Sequence, residues 1–255
     1  WRIMIKPHGS DTLNPLYVRD DKARAALLKE AKGLPSIVVC SAAAANAVMM
    51  GGGYFNPLTG FMNKADALGT AKNLKTASGV FFPVPILNMV EDASAIKGAL
   101  QTALKDPNVE GNPILAVMDV KAIETFTDDE MKMMTDKIFR TDDPEHPGVK
   151  AFNSVGKTCI SGPIQVLNFS YFDKEFPETF RTAYQIREEM GKLGWEKVVA
   201  FQTRNPMHLA HEELCRMAYH AVKADGILVH MLLGKLKEGD IPADVRDACI
   251  RVMAE

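Results

Sequence analysis

The chain has 255 residues, 47% hydrophobic and 24% charged, with a formal net charge of −2. That length predicts two domains or one large one with a core, and the even charge gives no electrostatic reason to expect nucleic acid or an acidic membrane surface as partner. No apolar run approaches the roughly 20 residues of a membrane span, and the amino terminus "WRIMIKPHGSD" carries no secretory pattern. Cys40, Cys159, Cys215 and Cys249 are scattered without paired metal spacing. They read as reduced thiols of a cytoplasmic protein.

From Trp1 to about Asn168 short apolar runs are split by Gly, Pro and Asn: "PSIVVCS", "VFFPVPILNMV", "NPILAVMDV" and "GPIQVLNF". Runs of this length between turn residues predict strands of a mixed, β-rich domain, placed at residues 1–169. Helical spacing interrupts them in "DKARAALLKEA", "SAAAANAVMM", "NKADALGTAKNL" and "TDDEMKMMTDKIFR", the last with Thr127 as N-cap and Glu130 placed for a capping box. "MMGGGYF" lacks the lysine and hydroxyl of a phosphate loop and reads as a turn.

Beyond Tyr171 the pattern changes. "FPETFRTAYQIREEMGKLG" has helical spacing and a C-cap glycine at Gly194; "KVVAFQ" and "GILVHMLLG" read as strands, "PMHLAHEELCRMAYHAVKA" and "PADVRDACIRVMAE" as helices. Alternating strands and helices predict βαβ units on a parallel sheet, an α/β domain over residues 170–255. The last helical pattern has no stop signal before Glu255, so the expectation is a piece of a longer protein.

Chemistry concentrates where the first of those strands meets its helix. Ligands of an open parallel sheet sit beyond the carboxyl ends of its strands, where Gln202, Thr203, Arg204 and Asn205 fall. Asn205 is predicted as N-cap and Pro206 as the first helical residue. His208 and His211, three apart, would share a face near the helix start, where unpaired N–H groups favour an anion. Arg204 can grip an oxyanion with two parallel hydrogen bonds, and the imidazoles can donate to phosphate oxygens. No Ser, Cys or Asp lies beside a base as an activated nucleophile, so the set suits in-line transfer at phosphorus. After the second strand Gly234 permits close backbone approach, Lys235 and Lys237 would reach phosphates, and Asp240 would close the loop by hydrogen bonding, although lysines in a polar loop are commonly just solvated. A competing reading is a metal site from His208, His211 and Cys215 at i, i+3 and i+7, where a core thiol is the plainer role for Cys215. His8, His146, His220 and His230 have plain structural roles.

At these residues the chain resembles the ATP sulfurylase (sulfate adenylyltransferase) family, most nearly the type found in sulfur-oxidising bacteria. "QTRNP" followed by "HLAH" is similar to its Gln-X-Arg-Asn-Pro and His-X-X-His signatures, and "YFNPLTGFM", "DPNVEGNPILAVMD", "DPEHPGV", "GPIQVLNF" and "LLGKLKEGDIP" extend the likeness along the chain. The resemblance implies a PUA-like amino-terminal domain followed by a Rossmann-like nucleotidyltransferase domain, incomplete here. It implies a reversible reaction of ATP and sulfate giving adenosine 5′-phosphosulfate and pyrophosphate, with Mg²⁺ accompanying ATP and a homo-oligomer, a dimer, as the assembly. By motif position Gln202 and Arg204 would bind sulfate, and Gln202, Thr203, Arg204, Asn205, His208, His211 and Gly234 would border ATP. Thr203, Arg204, Asn205, His208 and His211 would be the catalytic set. A different acceptor for the same His-X-X-His chemistry, or an RNA-binding PUA-like module, are the alternatives; the lack of a basic stripe with stacking aromatics opposes the second.

Two departures stand out. Leu209 occupies a position that is commonly basic in the family, and the family's Gly-Arg-Asp-His segment occurs nowhere in these residues. A molecule truly ending at Glu255 is expected to be inactive.

Overall fold

Local signals fix many element ends. Asp20, Asn63 and Thr127 each accept a hydrogen bond from the backbone three residues on, opening helices α1 (Asp21–Ala31), α3 (Lys64–Asn73) and α4 (Asp128–Phe139); Cys40 does so through its sulfur for α2 (Ser41–Gly51). At Thr127 the box is complete, with Glu130 returning a carboxylate to the Thr127 N–H at 2.8 Å. The computed structural model describes residues 5–233 and 239–254. It divides into Lys6–Asp173 and a second unit that begins at Lys174 and takes in Ile5.

The first unit adds strands β1 (Ser36–Val38), β2 (Gly60–Phe61), β3 (Met89–Val90), β4 (Gln101–Lys105), β5 (Ile114–Asp119), β6 (Ala122–Thr125) and β7 (Thr158–Val166), with α5 (Pro147–Asn153) before the last. The sheet order is β1-β4-β5-β7-β2, with β3 and β6 also paired to β7. β1 runs parallel to β4 and the other pairs are antiparallel. β7 is the spine. Its first half pairs β3 and β6 (Met89 opposite Cys159, Ile123 opposite Ile160) and its second half pairs β5 and β2 (Val117 opposite Gln165, Phe61 opposite Gly162). The change of partners happens at Gly162, whose φ is +147° and where a Cβ would stand 1.9 Å from the Asp119 carbonyl oxygen, so that only glycine fits.

Leu115, Ala116, Val117 and Met118 of β5 are all buried, because both faces of the sheet are covered. Ala31 of α1 packs with Ala103, Val117 and Leu167 on one face. On the other, α2 approaches so closely that a Cβ on Gly51 would meet Val166 at 2.9 Å. The run "VFFPVPILNMV" is corrected: only Met89–Val90 is strand, since Pro83 and Pro85 have no N–H to give a ladder.

α6 (Phe172–Glu175) lies at the division between the units. The second unit then runs α7 (Ala183–Leu193), β8 (Val198–Thr203), α8 (Leu209–Val222), β9 (Gly226–Met231) and α9 (Ala243–Ala254). Thr182 and Gln185 box the start of α7, and Gly194 closes it in the left-handed region. β8 and β9 pair in parallel from Val198 opposite Gly226 to Thr203 opposite Met231, as expected of a βαβ unit. The Asp225 carboxylate accepts from the N–H groups of Glu196 at 2.7 Å and Lys197 at 2.8 Å, tying the entry of β9 to that of β8. No helix among the described residues is long and apolar enough to cross a membrane.

Candidate active site

The parallel ladder carries Gln202 and Thr203 to its carboxyl end, where Leu232 N–H donates to the Thr203 carbonyl at 3.0 Å. Thr203 is buried, and its hydroxyl both donates to the Asn205 carbonyl (3.0 Å) and accepts from the Asn205 N–H (3.1 Å). One side chain thereby closes the bend over Arg204. Its hydroxyl proton is engaged within the loop.

Arg204 projects from that bend with its side chain 43% exposed, and Nη2 donates to Asp240 Oδ1 at 2.5 Å. The guanidinium is a fork of five donors, so a carboxylate on Nη2 steers the plane and leaves other N–H groups for a second anion. Asn205 is exposed.

The predicted helix start is corrected. α8 begins at Leu209 with His208 as its N-cap, in extended backbone at φ −139° and ψ 174°, so Asn205 and Pro206 lie outside it. Met207 is buried, which the extended path before the turn allows, and His208 supplies the ring nitrogen that caps the first turn. His208 Nδ1 accepts from Ala210 N–H at 3.3 Å, and His211 Nδ1 accepts from His208 N–H at 3.3 Å. The His-X-X-His spacing is thus the N-cap to N3 spacing of a capping box, with imidazoles in the usual roles of hydroxyl and carboxylate. A backbone N–H can only donate, so in each neutral ring Nδ1 is the bare nitrogen and Nε2 carries the proton. The rings lie 4.0 Å apart between centroids, and Phe201 of β8 stands 5.8 Å from His211.

Gln202 is exposed at the strand end opposite His230. Burial lowers the pKa of His230, favouring its neutral ring. Cys215 is 5% exposed on the inner face of α8 and desolvation raises its thiol pKa, the environment of a packed core thiol. Among the described residues no group of three or more His, Cys, Asp or Glu is placed to hold a metal ion, His208, His211 and Cys215 included. Gly234, Lys235 and Lys237 lie outside the described residues.

Sequence reasoning missed Arg246. The side chain is 2% exposed, and Nη1 donates to the carbonyls of Arg204 (2.9 Å) and Leu232 (2.6 Å). A signal existed: Ala243, Arg246, Ile250 and Met253 form the less exposed stripe of α9, and a charge at the centre of such a stripe needs a reason.

Comparisons with known proteins agree along the whole chain. Residues 5–169 match the PUA-like domain family and residues 177–255 the ATP-sulfurylase family. A sulfate adenylyltransferase of Alcanivorax borkumensis is 64% identical over 99% of this chain and 63% of its own length. One of Allochromatium vinosum is 62% identical over 99% of this chain and 64% of its own length, and one from the Riftia pachyptila sulfur-oxidizing endosymbiont is 58% identical over 99% and 57%. The chain therefore spans less than two thirds of the length of these relatives. Among solved structures, the hexameric APS kinase from Thiobacillus denitrificans superposes with a TM-score of 0.71 at 23% identity, over 98% of this chain and 43% of the other, a likeness of fold.

Proposed function

Because the chain belongs to the ATP-sulfurylase family, with a PUA-like domain ahead of its nucleotidyltransferase residues, we propose that it carries the sulfate adenylyltransferase reaction. A sulfate oxygen attacks the α-phosphorus of ATP in line, the bond to the bridging oxygen of the β-phosphate breaks, and adenosine 5′-phosphosulfate and pyrophosphate result. No proton has to be moved, so the protein's task is to bring two anions together and stabilise the charge that leaves. The reaction runs in reverse from the same site, making ATP.

The arrangement of the two histidines carries this reading. With both Nδ1 atoms holding backbone N–H groups, each neutral ring offers Nε2–H as a donor, the role needed against phosphate oxygens. Arg204, steered by Asp240, grips sulfate beside Gln202; Asn205, His208 and His211 border the triphosphate, as does Gly234 by its place in the motif; Thr203 holds the bend. Mg²⁺ would arrive on the phosphates of ATP, since this ion prefers phosphate oxygens and water to a protein cage. A homodimer and a cytoplasmic location complete the proposal, the latter supported by Cys40, Cys159, Cys215 and Cys249 being free thiols.

The test is pyrophosphate release from ATP by the intact protein, with and without sulfate. Release that requires sulfate supports the assignment. Release that ignores sulfate, or needs another acceptor, overturns it.

A further inference from the structure

Arg246 is a charged side chain buried to 2% exposure on α9, and no carboxylate among the described residues pairs with it. Its Nη1 reaches the carbonyls of Arg204 and Leu232, one residue beyond the ends of β8 and β9. Nε and Nη2 are buried and have no hydrogen-bond partner among the described residues. Burying a permanent charge with two donors unmet is costly. An apolar residue would fill the same inward position on the helix without that cost, so packing alone does not account for an arginine there.

We infer that Arg246 is a positioning residue for sulfate recognition: by linking the two strand ends through the carbonyl of Arg204, it fixes the backbone from which the sulfate-gripping guanidinium projects. The bend is then held from three sides. Thr203 closes it from within, Asp240 steers the Arg204 side chain, and Arg246 anchors the Arg204 main chain to the neighbouring strand. Arg246 itself is placed on no substrate. This rests on the sulfurylase reading and adds to it a residue far along the sequence that acts only through Arg204.

The test is a double-mutant cycle in the intact protein, reading sulfate KM, ATP KM and thermal midpoint for Arg246→Met, Arg204→Ala and the pair. Arg246→Met removes the buried charge and its two unmet donors while leaving two carbonyls without a donor, so the midpoint should move little. The expected result is a rise in sulfate KM of about tenfold or more, larger than any change in ATP KM, and no further rise when Arg204 is already Ala. A folded Arg246→Met variant with unchanged sulfate KM overturns the inference, as does an effect that persists in full without the Arg204 side chain. If Arg246→Met does not fold, Arg246→Gln, whose amide stops two bonds short of the Nη1 position and so lets go of the two carbonyls, is read in its place: a raised sulfate KM supports the inference and an unchanged one overturns it. Absence of sulfate-dependent pyrophosphate release from the unmutated protein would instead overturn the sulfurylase reading, and this inference with it.

Discussion

The two units solve different problems. In Lys6–Asp173 a sheet covered on both faces buries side chains such as Leu104, Leu115, Met118, Ile160 and Val166 completely, and helix ends are capped from the sequence. In the second unit only Met207, Cys215, Ala224 and Leu233 are buried hydrophobics among the described residues, while Leu209, Leu214, Met217 and Val222 of α8 and Val252 of α9 are exposed. Yet it is the second unit that holds the guanidinium and the imidazole pair. The first is organised by its interior and the second by one edge, where Thr203, Asp240 and Arg246 act on a single arginine. Substitutions in the interior of the first unit and at the edge of the second are therefore expected to have different effects.

The largest effect expected is in the first unit. Gly162→Ala places a methyl group on the Asp119 carbonyl and should cost about 3 kcal/mol or more, read as loss of the cooperative thermal transition. Arg204→Ala should do the opposite: sulfate-dependent turnover falls about a hundredfold or more, while the thermal midpoint stays near that of the parent because the side chain is 43% exposed. If the midpoint falls as far as for a core substitution, the separation of the two units is wrong. Thr127→Ala should cost about 1 kcal/mol by emptying a complete capping box, leaving sulfate KM untouched.

Acid sharpens the same contrast. Burial lowers the pKa of His230 from its ordinary 6.5, so an unfolded chain binds a proton that the folded one refuses. The contribution of His230 to stability is therefore complete above about pH 6.5 and declines as pH falls from there toward the lowered folded value. In the first unit Glu130, bonded to Lys64 and to the Thr127 N–H, has its pKa lowered from 4.5, so its contribution is complete above about pH 4.5 and is lost only as pH falls through the lower folded value. Amide exchange followed from pH 7.5 to 4 should show β9 loosening before α4. The reverse order would contradict the burial argument.

How much of this was legible in the sequence depends on how local the cause is. Thr127 with Glu130 and Gly194 act within one turn, so the ends they set were readable, as was the bend after Phe201, where strand chemistry stops at "QTRNP". The start of α8 misled because His208 caps it, and the usual signal is Ser, Thr, Asp or Asn. β4, β6 and the reach of β7 were missed because their strand character comes from distant partners. Arg246 was passed over because its job joins two loops on either side of it in space, and a lone arginine in an amphipathic stretch looks like solvated surface.

The single strand β7 has one more consequence. Five neighbouring segments of Lys6–Asp173 pair with it, β2, β3, β5, β6 and the bridge at Tyr17, so losing this one strand would unfasten all five at once. Such an architecture resists being shortened by evolution or by an engineer. Insertions belong in its connecting loops, and the line from Thr158 to Val166, paired along both edges, has little freedom to drift.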